Sequence, residues 1–128
     1  MSESRTPGAP VRRMRRTGAR TGRSEKMRHA FLVRLRNDRV RLTILAAELT
    51  RGADTAHAFD NLRLFAHEVR GAATAFDATE VDIAAHALER AAAAAVALQA
   101  ENSDVDAWAA LEALRDLLGS ASRKTAAS

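Results

Sequence analysis

The chain has 128 residues, no cysteine and a formal net charge of +4. Its length suits one domain with its own core, and the lack of cysteine excludes disulfides and thiolate metal sites. It contains neither an uncharged apolar run of about 18 residues nor an apolar signal-peptide core, so we expect no membrane span and a cytoplasmic protein.

The first 24 residues differ sharply in charge from the rest. They hold seven arginines and one acid, so they carry +6 while the remaining residues carry −2. With two prolines, three glycines and few large apolar side chains, they cannot bury enough surface to offset the entropy of ordering. We therefore predict a disordered, arginine-rich tail over residues 1–24. This tail could bind nucleic acid weakly. The alternatives are that the tail is an inert extension, or that the protein truly starts at Met14 or Met27.

Helical periodicity begins at Ser24 and continues through most of the remaining sequence. The first helical segment begins there. At Asn37 and Asp38, this segment either ends as a short helix or continues as one helix into the second segment. The second segment ends at Gly52, a residue typical of helix C-termini. Polar caps then predict three further helices, which begin near residues 55, 79 and 103 and end near residues 76, 98 and 118.

Short connections between long amphipathic helices favour antiparallel neighbours. The expected fold is all-α: an up-and-down antiparallel four-helix bundle over residues 25–119, with a short additional N-terminal helix and a flexible C-terminal tail at 120–128. The alanine run at 91–95 fits close helix packing.

The third predicted helix turns one histidine away from the core. At about 100° per residue, its large apolar residues form an arc centred about 190° from His67. Gly71 follows His67 by one turn, although glycine costs about 1 kcal/mol relative to alanine inside a helix. This favours a histidine that a large group approaches closely, although a plain surface histidine remains open. The residues within about 60° of His67 are Asp60, Arg63, Leu64, Arg70, Gly71 and Thr74.

The sequence contains few other candidates for a catalytic, metal-binding or nucleotide-binding site. His67 and Glu68 begin like the HExxH zinc motif, but Gly71 occupies the position of the second histidine. His57 lies about 15 Å from His67 along a helix, too far to share a metal ion. No glycine-rich phosphate loop is present, so the sequence favours neither a metal site nor a nucleotide site.

The segment Ala66-His67-Glu68-Val69-Arg70-Gly71, followed by small residues, resembles the Ala-His-x-x-Lys-Gly pattern of histidine-containing phosphotransfer (HPt) domains. Leu88 and Glu89 match a Leu-Glu pair common in the next helix of that family. The resemblance covers about residues 27–118. Two positions depart from the pattern: Arg70 stands for the family lysine, and Asp77 stands for a glycine at the helix end, where we expect a different turn.

The resemblance implies a phosphocarrier, not an autonomous kinase. His67 would accept a phosphoryl group from an aspartyl phosphate and pass it to another receiver domain, with Arg70 offsetting charge and Gly71 leaving room. The implied partners are receiver domains of a hybrid histidine kinase and of response regulators. The chain would need no cofactor of its own, since the receiver supplies Mg²⁺, and would be a monomer. The implied docking residues are Asp60, Arg63, Leu64, Glu68 and Thr74.

Two other functions remain open. A helical adaptor could keep the receiver-docking face without being phosphorylated. A nucleic-acid-associated protein could act through the basic tail, in which case binding would depend strongly on salt.

Overall fold

The computed structural model describes the backbone of residues 5–52, 54–98 and 103–127, and the side chains of residues 25–52, 54–97 and 104–127. Within these ranges the protein is all-helical, with no strand. The side chains of residues 1–24 are not among those described, and the disorder of this segment stays a prediction. The helices are α1 (Arg5–Arg51), α2 (Thr55–Ala75), α3 (Thr79–Leu98) and α4 (Ser103–Ala127).

Helix α1 runs without a break through Asn37 and Asp38, which is the second of the two alternatives that the sequence leaves open. The reason lies in the side chain of Asp38, which is 2% exposed. Its carboxylate accepts a 2.8 Å hydrogen bond from Nε of Arg34 and lies 3.8 Å from Arg41. These partners are one turn before and one turn after it on the same helix, so Asp38 supports a continuous helix instead of capping a new one.

The helix ends follow local chemistry. Gly52 has a φ of +71° and donates its N–H to the carbonyl of Leu49, which ends α1. The carboxylate of Asp54 accepts from the N–H of His57 at 3.1 Å and caps α2. Asp77, after the end of α2, has a φ of +57°, a left-handed conformation that aspartate tolerates better than most residues.

The four helices pack in a ring. Among the described residues, α1 lies against α2 and α4, α3 lies against the same two helices, and the backbones of the diagonal pairs lie farther apart. Alanines let the helices of this ring approach closely, since Ala85 and Ala92 of α3 are fully buried. α4 continues to Ala127, past the predicted end near residue 118, and Ala121 packs against the core. The largest fully buried side chains are Leu35, Leu42, Leu62, Phe65, Val69, Leu88, Leu111, Leu114 and Leu118.

None of the described helices combines the length and the apolar character needed to cross a membrane.

Candidate functional site

His67 lies on the outer face of α2, as the periodicity predicts. Its side chain is 70% exposed, while its neighbours Phe65, Ala66 and Val69 are buried. These buried residues anchor α2 in the core on the side opposite the imidazole. The ring is therefore carried by a rigid element and remains accessible to a partner.

Glu89 of α3 reaches across to this face and binds two residues of α2. Its Oε2 lies 3.2 Å from Nδ1 of His67, and its Oε1 accepts a 2.8 Å hydrogen bond from Nη1 of Arg70. Leu88, the residue before it, is fully buried and anchors α3 in the core at this level. The carboxylate of Glu89 thus bonds both to His67, the predicted phosphoryl acceptor, and to Arg70, the predicted cation.

The charges in this cluster reinforce one another. The hydrogen bond from Arg70 is the main reason that the pKa of Glu89 lies below its ordinary value, with a smaller contribution from His67 and against the opposing effect of desolvation. The bond to Glu89 likewise raises the pKa of Arg70. Glu89 is therefore ionised at neutral pH and can only accept hydrogen bonds. In a neutral His67 it selects the tautomer with the proton on Nδ1, which leaves the lone pair on Nε2.

Arg70 is already bonded within its own chain. Besides its bond to Glu89, its Nε lies 3.4 Å from Oδ1 of Asp82. A phosphoryl group that approached Arg70 would therefore have to share its guanidinium with two carboxylates. The side chain is one-third exposed, so a ligand can still reach part of the guanidinium.

Gly71 borders open space. A Cβ atom built at this position would meet no atom within 4 Å outside its immediate helical surroundings. Packing within the protein therefore does not require glycine here, and the missing side chain leaves a clear surface one turn from His67.

A groove between α1 and α2 adjoins the histidine face. Its volume is about 300 Å³, and its lining includes two of the predicted docking residues, Leu64 and Glu68. Opposite them on α1 lie Ile44, which is 53% exposed, and Arg41, which donates a 2.8 Å hydrogen bond to Glu68. That bond is the main reason that the pKa of Glu68 is lowered. We call this surface the α1–α2 groove.

The other predicted docking residues lie along the same helix but bond elsewhere. Asp60 and Arg63 form an ion pair of 2.8 Å between themselves. The hydroxyl of Thr74 donates to the carbonyl of Arg70. Asp60, Arg63 and Thr74 lie on α2, as His67 does, but none of them lines the α1–α2 groove.

The sequence singled out Glu89 through the family resemblance, but it did not predict the contacts that α1 and α3 make with this site. Asp82 and Glu89 are seven residues apart, so they share one face of α3, and this acidic pair was a signal that could have identified partners for Arg70. Val40 and Ile44 are one turn apart on α1 and both are exposed, which marks an apolar face separate from the core. In the part of the chain that the structure describes, no cluster of three or more His, Asp or Glu side chains could hold a metal ion.

Comparison with known proteins gives no match: no family model, no curated protein and no solved structure is similar enough to this chain to count as one.

Proposed function

We propose that this protein is a histidine phosphotransfer protein that relays a phosphoryl group between receiver-domain aspartates through His67. The observation that supports this most directly is the exposed imidazole of His67, held through Nδ1 by the carboxylate of Glu89 beside the open surface at Gly71. The ring of four helices joined by short connections is consistent with the up-and-down antiparallel bundle of such proteins.

The transfer step follows from this arrangement. The lone pair on Nε2 of His67 attacks the phosphorus of an aspartyl phosphate, a nitrogen–phosphorus bond forms, and the aspartate leaves as a carboxylate. The imidazole ring gains positive charge, which Glu89 offsets through its bond to the Nδ1 proton. In the return step a second receiver aspartate attacks the phosphorus and His67 leaves with its lone pair restored. The receiver provides Mg²⁺ at its own acidic site.

Docking would use the surface around His67. Leu64 and Ile44 offer exposed apolar area in the α1–α2 groove, and Arg41 and Glu68 offer a charged pair at its edge. A receiver domain covering this groove would bring its aspartyl phosphate over the open surface at Gly71. The protein would act as a cytoplasmic monomer between a hybrid kinase and a response regulator.

A direct chemical test uses phosphoramidate, which phosphorylates imidazole nitrogen without any partner. The full chain should gain its first phosphoryl group, labile in acid and stable in alkali, at His67, and should react more slowly at the other exposed histidines, as measured by intact mass and peptide mapping. His67→Gln should abolish this adduct. His57→Gln is the matched control, because His57 is an exposed histidine on the same helix.

A second measurement supplies the biological donor. Receiver domains loaded with radiolabelled acetyl phosphate are mixed with the wild type, His67→Gln and His57→Gln. Label should move to the wild type and to His57→Gln only. Both variants should keep wild-type helicity, because exposed substitutions shift stability by about 0.5 kcal/mol or less. A receiver that binds the protein without labelling His67 would instead identify an adaptor and overturn the phosphocarrier proposal.

A further inference from the structure

A second concave surface lies between α1 and α4. It has a volume of about 450 Å³, and we call it the arginine groove. It opens on the α4 side of α1 and shares one lining residue, Ile44, with the α1–α2 groove, while His67 lines neither of the two. Its polar lining consists of Arg36, Arg39, Thr43, Ser122 and Arg123, with Gly119 between them.

Gly119 brings two cations together. It is a buried residue in the interior of α4, and a Cβ atom at its position would lie 3.0 Å from Nε of Arg39 and 3.5 Å from Nη1 of Arg123. Both guanidinium groups therefore converge on one point above the glycine. A side chain at residue 119 would push Arg39 away from this position.

The guanidinium groups of the arginine groove have no acidic partner among the residues whose side chains the structure describes. Among the described side chains, no carboxylate lies within ion-pair distance of Arg36, Arg39 or Arg123. Arg34, Arg41, Arg63 and Arg70 all bind carboxylates in the same protein. Like charges that converge without a counter-ion repel one another, so an anion placed between them would be bound favourably.

The other residues that line the arginine groove indicate which further chemical group the bound anion contains. The hydroxyl of Ser122 makes no hydrogen bond within the described residues and can donate to an oxyanion. Val40 and Ile44 line the same groove with 60% and 53% of their surface exposed, so part of the lining is apolar. Nucleic acid fits poorly, because the first half of α4 presents the exposed acids Asp104 and Asp106 along the same helix.

We propose that the arginine groove is a binding site for a phosphate monoester with an apolar organic group. Arg39 and Arg123 grip the phosphate oxygens, Arg36 and Ser122 complete the donor set, and Val40 and Ile44 contact the apolar group. Guanidinium forks match phosphate geometry and make strong charge-assisted hydrogen bonds. The site does not depend on phosphotransfer at His67.

The test is a titration of the full chain with hexyl phosphate, followed through the side-chain Nε–H resonances of its arginines by NMR. Resonances of Arg39 and Arg123 should shift and saturate. Arg39→Gln should weaken binding by about tenfold or more, the usual loss for a charge-assisted hydrogen bond. Arg90→Gln is the matched control: it removes an exposed cation of α3 and should change affinity by less than about twofold.

Two further variants and two further probes complete the experiment. Gly119→Ala should keep or raise the melting temperature and still weaken binding, because it displaces Arg39 without unfolding the helix. Inorganic phosphate should bind more weakly than hexyl phosphate, and hexanol should not bind. His67→Gln should bind as the wild type does, which separates this result from any failure of phosphotransfer.

The opposite results would overturn the assignment. They are shifts that do not saturate, an equal loss of affinity in Arg90→Gln and Arg39→Gln, or equal affinity for inorganic phosphate and hexyl phosphate. The first two would show general attraction of anions to a basic chain, and the third would show that the apolar lining takes no part.

Discussion

Replacing Glu89 with glutamine tests how His67 is prepared for reaction. The substitution keeps the shape of the side chain but removes its charge and leaves one acceptor oxygen where there were two. That oxygen cannot serve His67 at 3.2 Å and Arg70 at 2.8 Å in the present arrangement, in which each residue binds a different oxygen. The amide of the Glu89→Gln variant would therefore lose its hydrogen bond to either His67 or Arg70.

The size of the effect follows from the bond that is lost. A hydrogen bond is worth about 0.5–1.5 kcal/mol, so the rate of phosphorylation by phosphoramidate should fall about two- to tenfold. The melting temperature should stay within about 5 °C of the wild type, because partly exposed ion pairs stabilise little. The tautomer is read separately from the imidazole nitrogen shifts, which should show less protonation at Nδ1 in the neutral ring.

Glu68→Gln is the matched control for this experiment. Glu68 is the residue next to His67, but its carboxylate binds Arg41 of α1 instead. It should leave both the rate with phosphoramidate and the tautomer unchanged. If Glu89→Gln behaved like this control in both measurements, the bond between Glu89 and His67 would have no part in the reaction.

Three shorter predictions address other parts of the structure. Gly71→Leu should block phosphoryl transfer from a receiver, and it should keep stability or raise it by up to about 1 kcal/mol because a Cβ at this position meets open space. Normal transfer by this variant would show that the open surface at Gly71 has no steric role. Because the lowered pKa of Glu89 makes its ionised form stabilising, the difference in melting temperature between wild type and Glu89→Gln should shrink as pH falls below 4.5. Asp38→Ala should cost about 0.5–1.5 kcal/mol in urea unfolding, because it removes the hydrogen bond from Arg34, whose guanidinium is partly exposed and regains water; no loss would mean that this bond does not stabilise α1.

Local patterns in the sequence were enough to predict the helical class, most helix ends and the direction in which His67 points. These properties depend on residues close together in the chain. The 3.6-residue period places Phe65 and Val69 opposite His67 whatever the helix packs against. Caps at Gly52 and Asp54 act within one turn, so they too can be identified without a tertiary structure. The same local logic could not decide between a break and a continuous helix at Asp38, because that depended on whether its carboxylate would be buried against Arg34.

Only the tertiary structure decided which helices supply partners to one another. Glu89 meets His67 across 22 residues of sequence, Arg41 meets Glu68 across 27, and Arg39 approaches Gly119 on a helix much farther along the chain. Periodicity specifies the face of one helix, but it does not specify the rotation or the axial shift of its neighbour. Those are set by how the buried side chains of all four helices pack together, and a shift of one turn would give His67 and Arg39 different neighbours.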